Sequence, residues 1–232
     1  MATSWQDVKD LVRELIGDDE SDQVFFSAAQ ILAWGQQCLE DMARRTHYVD
    51  IQTTGVTVAD TQTYTAGDKA FQVYRVEVDN RSIDPIRTDQ LRYGDDKWRN
   101  QTGRPDVYFL DELDLTAATP LVGMFPVPSG VYTTRIFSYG FPEDISDSSS
   151  SDNVPVPSWA VSGVWLYILA RAYEADTVLM DLGLTSFYQS LYEEVVGRLG
   201  ARSYSRLNKV WGGSANEGVR RFSRIPDTPV TP

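Results

Sequence analysis

One histidine, His47, and one cysteine, Cys38, are the chain's whole supply of imidazole and thiol. A zinc site of His/Cys type or a Cys-His nucleophile pair would need both, and no ligand spacing surrounds either. Cys38 falls among the apolar positions of a predicted helix, which suits a small buried hydrophobe, and a single cysteine cannot close an internal disulfide. His47 ends a helix in ARRTHY, where a capping or surface role is expected because a helix C-terminus favours a cation. The carboxylate cluster DELD at 111–114 lies in a predicted hairpin and reads as a solvated turn rather than a general acid/base pair. No phosphate-cradling Gly-Lys loop, nucleophile elbow or paired-glycine dinucleotide turn occurs. The expectation is a protein without catalysis, metal or cofactor, whose chemistry is recognition.

For recognition the sequence offers two tryptophans and a charge split. Trp98 and Trp211 each stand in polar, charged or glycine-containing sequence where burial within the chain is hard to arrange. Exposed tryptophan beside arginine is the composition of binding hot spots, so both are candidate partner contacts. Residues 1–201 carry 15 basic and 31 acidic side chains, net −16, whereas residues 202–232 carry six basic and two acidic ones, net +4, giving −12 for the chain. An acidic body repels a phosphate backbone, so tight gripping of nucleic acid by it is not expected. The basic tail suits nucleic acid or the acidic surface of a neighbouring subunit or partner.

These residues must be held by a fold. At 232 residues the chain is one large domain or two small ones, and roughly 70% of the unfolded surface can be buried at this size. The 42% hydrophobic and 23% charged content is that of a globular chain. No apolar run reaches the length of a membrane span and MATSWQDVKD does not look like a signal peptide, so no membrane association and a cytoplasmic origin are expected.

A first helix is predicted from a cap at Thr3 or Ser4 to Gly17, with Trp5, Val8, Leu11, Val12, Leu15 and Ile16 at helical spacing. A second opens at Ser27, flanked by a Phe26–Ile31 staple. Together they make an N-terminal helical hairpin, 1–48. Residues 49–142 read as an antiparallel β region, with candidate strands at 51–58, 71–79, 81–87, 106–111, 120–127 and 131–139. Hairpin-type turns are predicted at Asp79-Asn80 and Pro128-Ser129-Gly130, and a polar loop excursion at 88–104. A Ser-rich connector, 143–156, leads to a C-terminal helical hairpin, 157–201. Its last helix is predicted from Thr185 or Ser186 to Gly200, with Phe187, Tyr188, Leu191, Val195, Val196 and Leu199 inward. The order predicts an α+β fold, with helix pairs from the two chain ends packed together around an inserted antiparallel sheet or sandwich layer and followed by an extended segment, 202–232.

The succession of GRPDVYFLD (103–111), MFPVPSG (124–130), VYTTRIFSYGFPEDI (131–145) and VPSWAVSGVWLYILARAYE (156–174), after the strand pair ending DNRSIDPI, resembles the head-to-tail adaptor, or connector, proteins of tailed bacteriophages. The likeness spans residues 25–200; the Ser-rich 143–153 stretch matches none of the motifs. It implies a structural virion protein of the head–tail junction, assembled in the host cytoplasm. The expected partners are further copies of itself in a dodecameric ring, the portal protein, and a tail or nozzle protein, with double-stranded DNA passing through unbound. It further implies that residues 202–232 form a docking arm reaching the portal or a neighbouring subunit through Arg206, Lys209, Trp211, Arg220, Arg221, Phe222 and Arg224. The 88–104 excursion would then be a ring or tail interface, presenting Arg92, Tyr93, Lys97, Trp98 and Arg99. A negatively charged ring would let duplex DNA slide where a basic lumen would hold it by counterion release. Two other classes stay open at this point: a monomeric binding module with a disordered tail, and a carboxylate-dependent hydrolase, which would require two convergent carboxylates in an enclosed pocket.

Overall fold

The computed structural model describes residues 4–18, 25–94, 98–110, 119–146, 153–175 and 179–210. Helix α1 (Trp5–Ile16) is started by a reciprocal cap: the Asp7 amide donates to Ser4 Oγ at 3.1 Å and the Ser4 amide donates to Asp7 Oδ2 at 3.4 Å. Gly17 stops it at φ 70°, a left-handed conformation that costs glycine nothing. Trp5, Val8, Val12 and Ile16 are buried, while Leu15, at the margin of the predicted stripe, is exposed. Helix α2 (Ala28–Thr46) begins where Ser27 Oγ accepts the Gln30 amide and ends at His47, itself left-handed at φ 52°. The two helices meet at Gly35, where an added Cβ would lie 2.6 Å from the Trp5 ring.

Helix α4 (Val161–Glu174) carries buried residues on nearly every side and contacts α1, α2 and the long α5 (Leu182–Val210). These four helices share one apolar core with Phe26, Ile145 and Val154. Cys38 is fully buried in it beside Gly163, and burial pushes its thiol well up, so it is neutral and inert. Polar ties close the rim. The Tyr192 hydroxyl donates to Asp41 Oδ2 at 2.6 Å, and Arg45 forks between Asp41 and Glu193.

Among the described residues the β region holds nine strands: β1 (Asp50–Val56), β2 (Thr63–Thr65), β3 (Ala70–Val78), β4 (Arg81–Pro85), β5 (Thr102–Gly103), β6 (Val107–Leu110), β7 (Leu121–Phe125), β8 (Val127–Pro128) and β9 (Thr133–Gly140). Seven form one sheet in the order β1-β9-β3-β4-β6-β7-β2, and β5 pairs with β8. The Asp79-Asn80 turn is as expected, with both residues left-handed (φ 49° and 63°) as a two-residue hairpin requires. A second apolar core, including Val76, Val78, Tyr108, Val122, Met124 and Ile136, lies on one face of the sheet.

The α+β class holds, with five α-helices among the described residues, but several expectations fail. The sheet is mixed, because β4 and β6 run parallel. Pro128-Ser129-Gly130 joins no strand pair: β8 lies against β5, and β9 pairs with β1 and β3. The helices do not wrap the sheet. They form their own core and touch it chiefly through α2 and β9, where His47 stacks 4.5 Å from Tyr139 and Arg44 lies 5.0 Å over Phe141. Helix α5 starts earlier than predicted and continues past Gly200, so residues 202–210 of the expected extended segment are helical. Glycine ends a helix by turning left-handed; Gly200 does not, and Arg202 over the Trp159 ring (4.2 Å) anchors the continuation. Phe187, placed inward by periodicity, is 54% exposed, and Tyr192 takes the buried position.

Candidate docking surfaces

The 88–104 excursion is built, not loose. After β4 the chain forms α3 (Thr88–Gly94), a 3-10 turn (Trp98–Asn100) and β5. Trp98 is 3% exposed, edge-on to Phe109 (5.4 Å) and Phe125 (6.0 Å), with Leu91 in the same small core. This corrects the expectation of an exposed indole. Arg99 and Asn100 stay outside while Trp98, with Leu91, pins the excursion to the back of β6 and β7. Gly123, opposite Phe109 in the register, makes room: a Cβ there would fall 2.1 Å from the Phe109 ring. The β6–β7 pair is thus buried on both faces, with Tyr108 and Met124 in one core and Phe109 in the other. Of the predicted contact residues here, Arg92 and Arg99 are exposed, Arg99 lying 5.1 Å over the Trp98 ring. Tyr93 sits on α3, and Lys97 lies outside the described residues.

Arg206 and Lys209 fall on the final turns of α5; Trp211, Arg220, Arg221, Phe222 and Arg224 lie outside the described residues. Periodicity did not reveal three other surfaces. Val56, Val58 and Val131 are exposed at the end of the sheet remote from the helices, Val131 to 74%. That tip is tied down, because the Thr57 hydroxyl donates to Gly130 O and accepts the Tyr132 amide, both at 2.8 Å. Met180, Leu182, Leu184 and Phe187 are exposed around the start of α5, where Asp181 Oδ1 accepts the Gly183 and Leu184 amides. Third, a groove of about 940 Å³ runs between β3, β4, β6 and the start of α3, lined by Val73, Tyr74, Arg87 and Tyr108 among others. Burial, reinforced by Asp50, pushes the Tyr74 phenol up to about 12, and burial raises Tyr108. Both are hydrogen-bonding groups, not acids, at neutral pH.

Among the described residues no group of three His, Cys, Asp or Glu side chains could hold a metal ion. DELD 111–114 lies outside the described residues, between the paired β6 and β7. The most buried carboxylate on the sheet, Glu77, is held by Arg75 and Arg135, an ion-paired cluster beside Phe137. No described helix is long and apolar enough to cross a membrane.

Compared with known proteins, residues 3–217 match the model of a family described as SU10 adaptor protein. No curated protein matches the chain.

Proposed function

The chain belongs to the SU10 adaptor protein family, which bears out its resemblance to phage head-to-tail adaptors, and from that membership we propose how it works. It is a structural component of the virion, without catalysis, that assembles into a dodecameric ring joining the portal to the tail or nozzle and continuing the DNA channel. The family match over nearly the whole chain carries this reading. Physical features support it. The net charge of −12 suits a ring through which duplex DNA passes without being held. The exposed apolar ends, at Val131 and at Leu182–Phe187, lie on different elements, and a ring needs two different complementary patches on each subunit. The arginine-bearing segment beyond α5 acts as a docking arm, its arginines pairing with carboxylates of the portal or of a neighbouring subunit.

Removal of residues 211–232 tests the arm, because it leaves every described element intact. The truncated chain is expected to lose attachment to portal-bearing heads in a sedimentation assay, and full attachment would refute the docking role. A mass measurement of the purified full chain reads the ring directly, and a persistent monomer at assembly concentrations would refute it.

A further inference from the structure

The two edges of the seven-stranded sheet are unlike. At one end β2 has three residues, too short to template another strand. At the other, β1 runs seven residues in unbroken register against β9, without bulge, proline or lysine, and its last three residues are exposed. Natural sheets blunt such an edge or cover it. Where β1 begins, a groove of about 520 Å³ is lined by Val49, Asp50, Asp68, Lys69, Phe141 and Glu143 among others. With Asp144 beside them, the carboxylates outnumber the two nearby cations, Lys69 and Arg44. The site is an open ladder of backbone groups leading into an acidic, partly apolar trough, and its complement is an extended segment with arginines and an aromatic ring.

The chain itself carries such a segment. Beyond Val210, VRRFSRI at 219–225 lies between Gly218 and Pro226, matches β1 in length, and holds Arg220, Arg221, Arg224 and Phe222. Residues 211–218 before it span up to about 26 Å when extended. We propose that residues 219–225 of a second copy add as a strand to the β1 edge, with their arginines at the acidic groove, so that each subunit closes its neighbour's sheet. Main-chain pairing would supply the affinity and the charges the direction. The proposal rests on the reading of the chain as a self-assembling adaptor and names the acceptor for its C-terminal segment.

The test uses the full chain with Thr54→Cys and Ser223→Cys, oxidised and run on a non-reducing gel; fully buried Cys38 stays out of the reaction. A ladder of covalent multimers is expected from the double variant and none from either single one. Adding Phe222→Pro, which removes an amide donor without touching a described residue, is expected to abolish the ladder. Reversing Arg220, Arg221 and Arg224 to Glu should weaken it by about tenfold at low salt. Cross-links only within one chain, no cross-links in material whose mass shows assembly, or a ladder indifferent to Phe222→Pro would each overturn the proposal. A monomeric mass for the wild type would instead remove the assembly reading, and this proposal with it.

Discussion

The helical half and the sheet half finish their surfaces differently. Around α4 the helices close on one another: Trp5 seats on Gly35, Tyr192 reaches Asp41, Arg45 bridges to Glu193, and even the thiol is buried. The sheet is finished at β6–β7, where α3 and Trp98 cover the back, and unfinished at the opposite end, where β1 and the valine tip face solvent. The helices are closed at their core and open at the start of α5, where Leu182 and Phe187 are exposed, whereas the sheet is open along a whole edge. Substitutions should therefore separate by burial, with loss of stability following the helical core and the covered strands, and loss of assembly following β1, the tip and the exposed start of α5.

The sharpest challenge to this contrast is Trp5→Ala. It empties the seat on Gly35 and should cost about 3–5 kcal/mol, read as a large fall in the thermal or urea midpoint. A loss below ~1 kcal/mol would mean that the helical core is not closed. Next comes Gly123→Val, which drives the Phe109 ring off its strand partner and should cost about 1–3 kcal/mol. Because Trp98 packs on Phe109, its fluorescence should shift toward that of a solvated indole, and an unchanged spectrum would detach the excursion from the sheet. The smallest effect belongs to the rim. The hydrogen bond from Arg45 holds Glu193 below its ordinary value of 4.5, so this pair stabilises the fold above that value and the contribution fades as the pH falls through the lowered one. The pair is largely exposed, so Glu193→Gln should cost less than about 1 kcal/mol at neutral pH and flatten that acid limb of the unfolding curve.

Local signals in the sequence suffice where one residue decides the backbone. Ser4, Gly17 and Ser27 cap as their types dictate, and Asp79-Asn80 turns the β3–β4 hairpin. Such signals do not suffice where a distant contact decides. Nothing near Pro128-Ser129-Gly130 shows that β9 would pair with β1 and β3, since that depends on strands many residues away. Polarity around Trp98 concealed a single anchoring side chain, and Gly200 became a stop signal because the Arg202–Trp159 contact joins two segments. Of the candidate contacts, Arg92 and Arg99 are exposed, whereas β1's open edge is invisible in the sequence because edge or interior is a property of strand order, not of the strand.

Helix α5 sets a length as well as a core. At 29 residues it measures about 44 Å, from the exposed apolar cluster at its start to the point near Val210 where the arginine-bearing segment departs. A rigid rod of fixed length, pinned along its way by Tyr192 and Arg202, works as a gauge block. Whatever grips one end and whatever receives the other are held at one spacing, and every copy in an assembly would inherit the same measure.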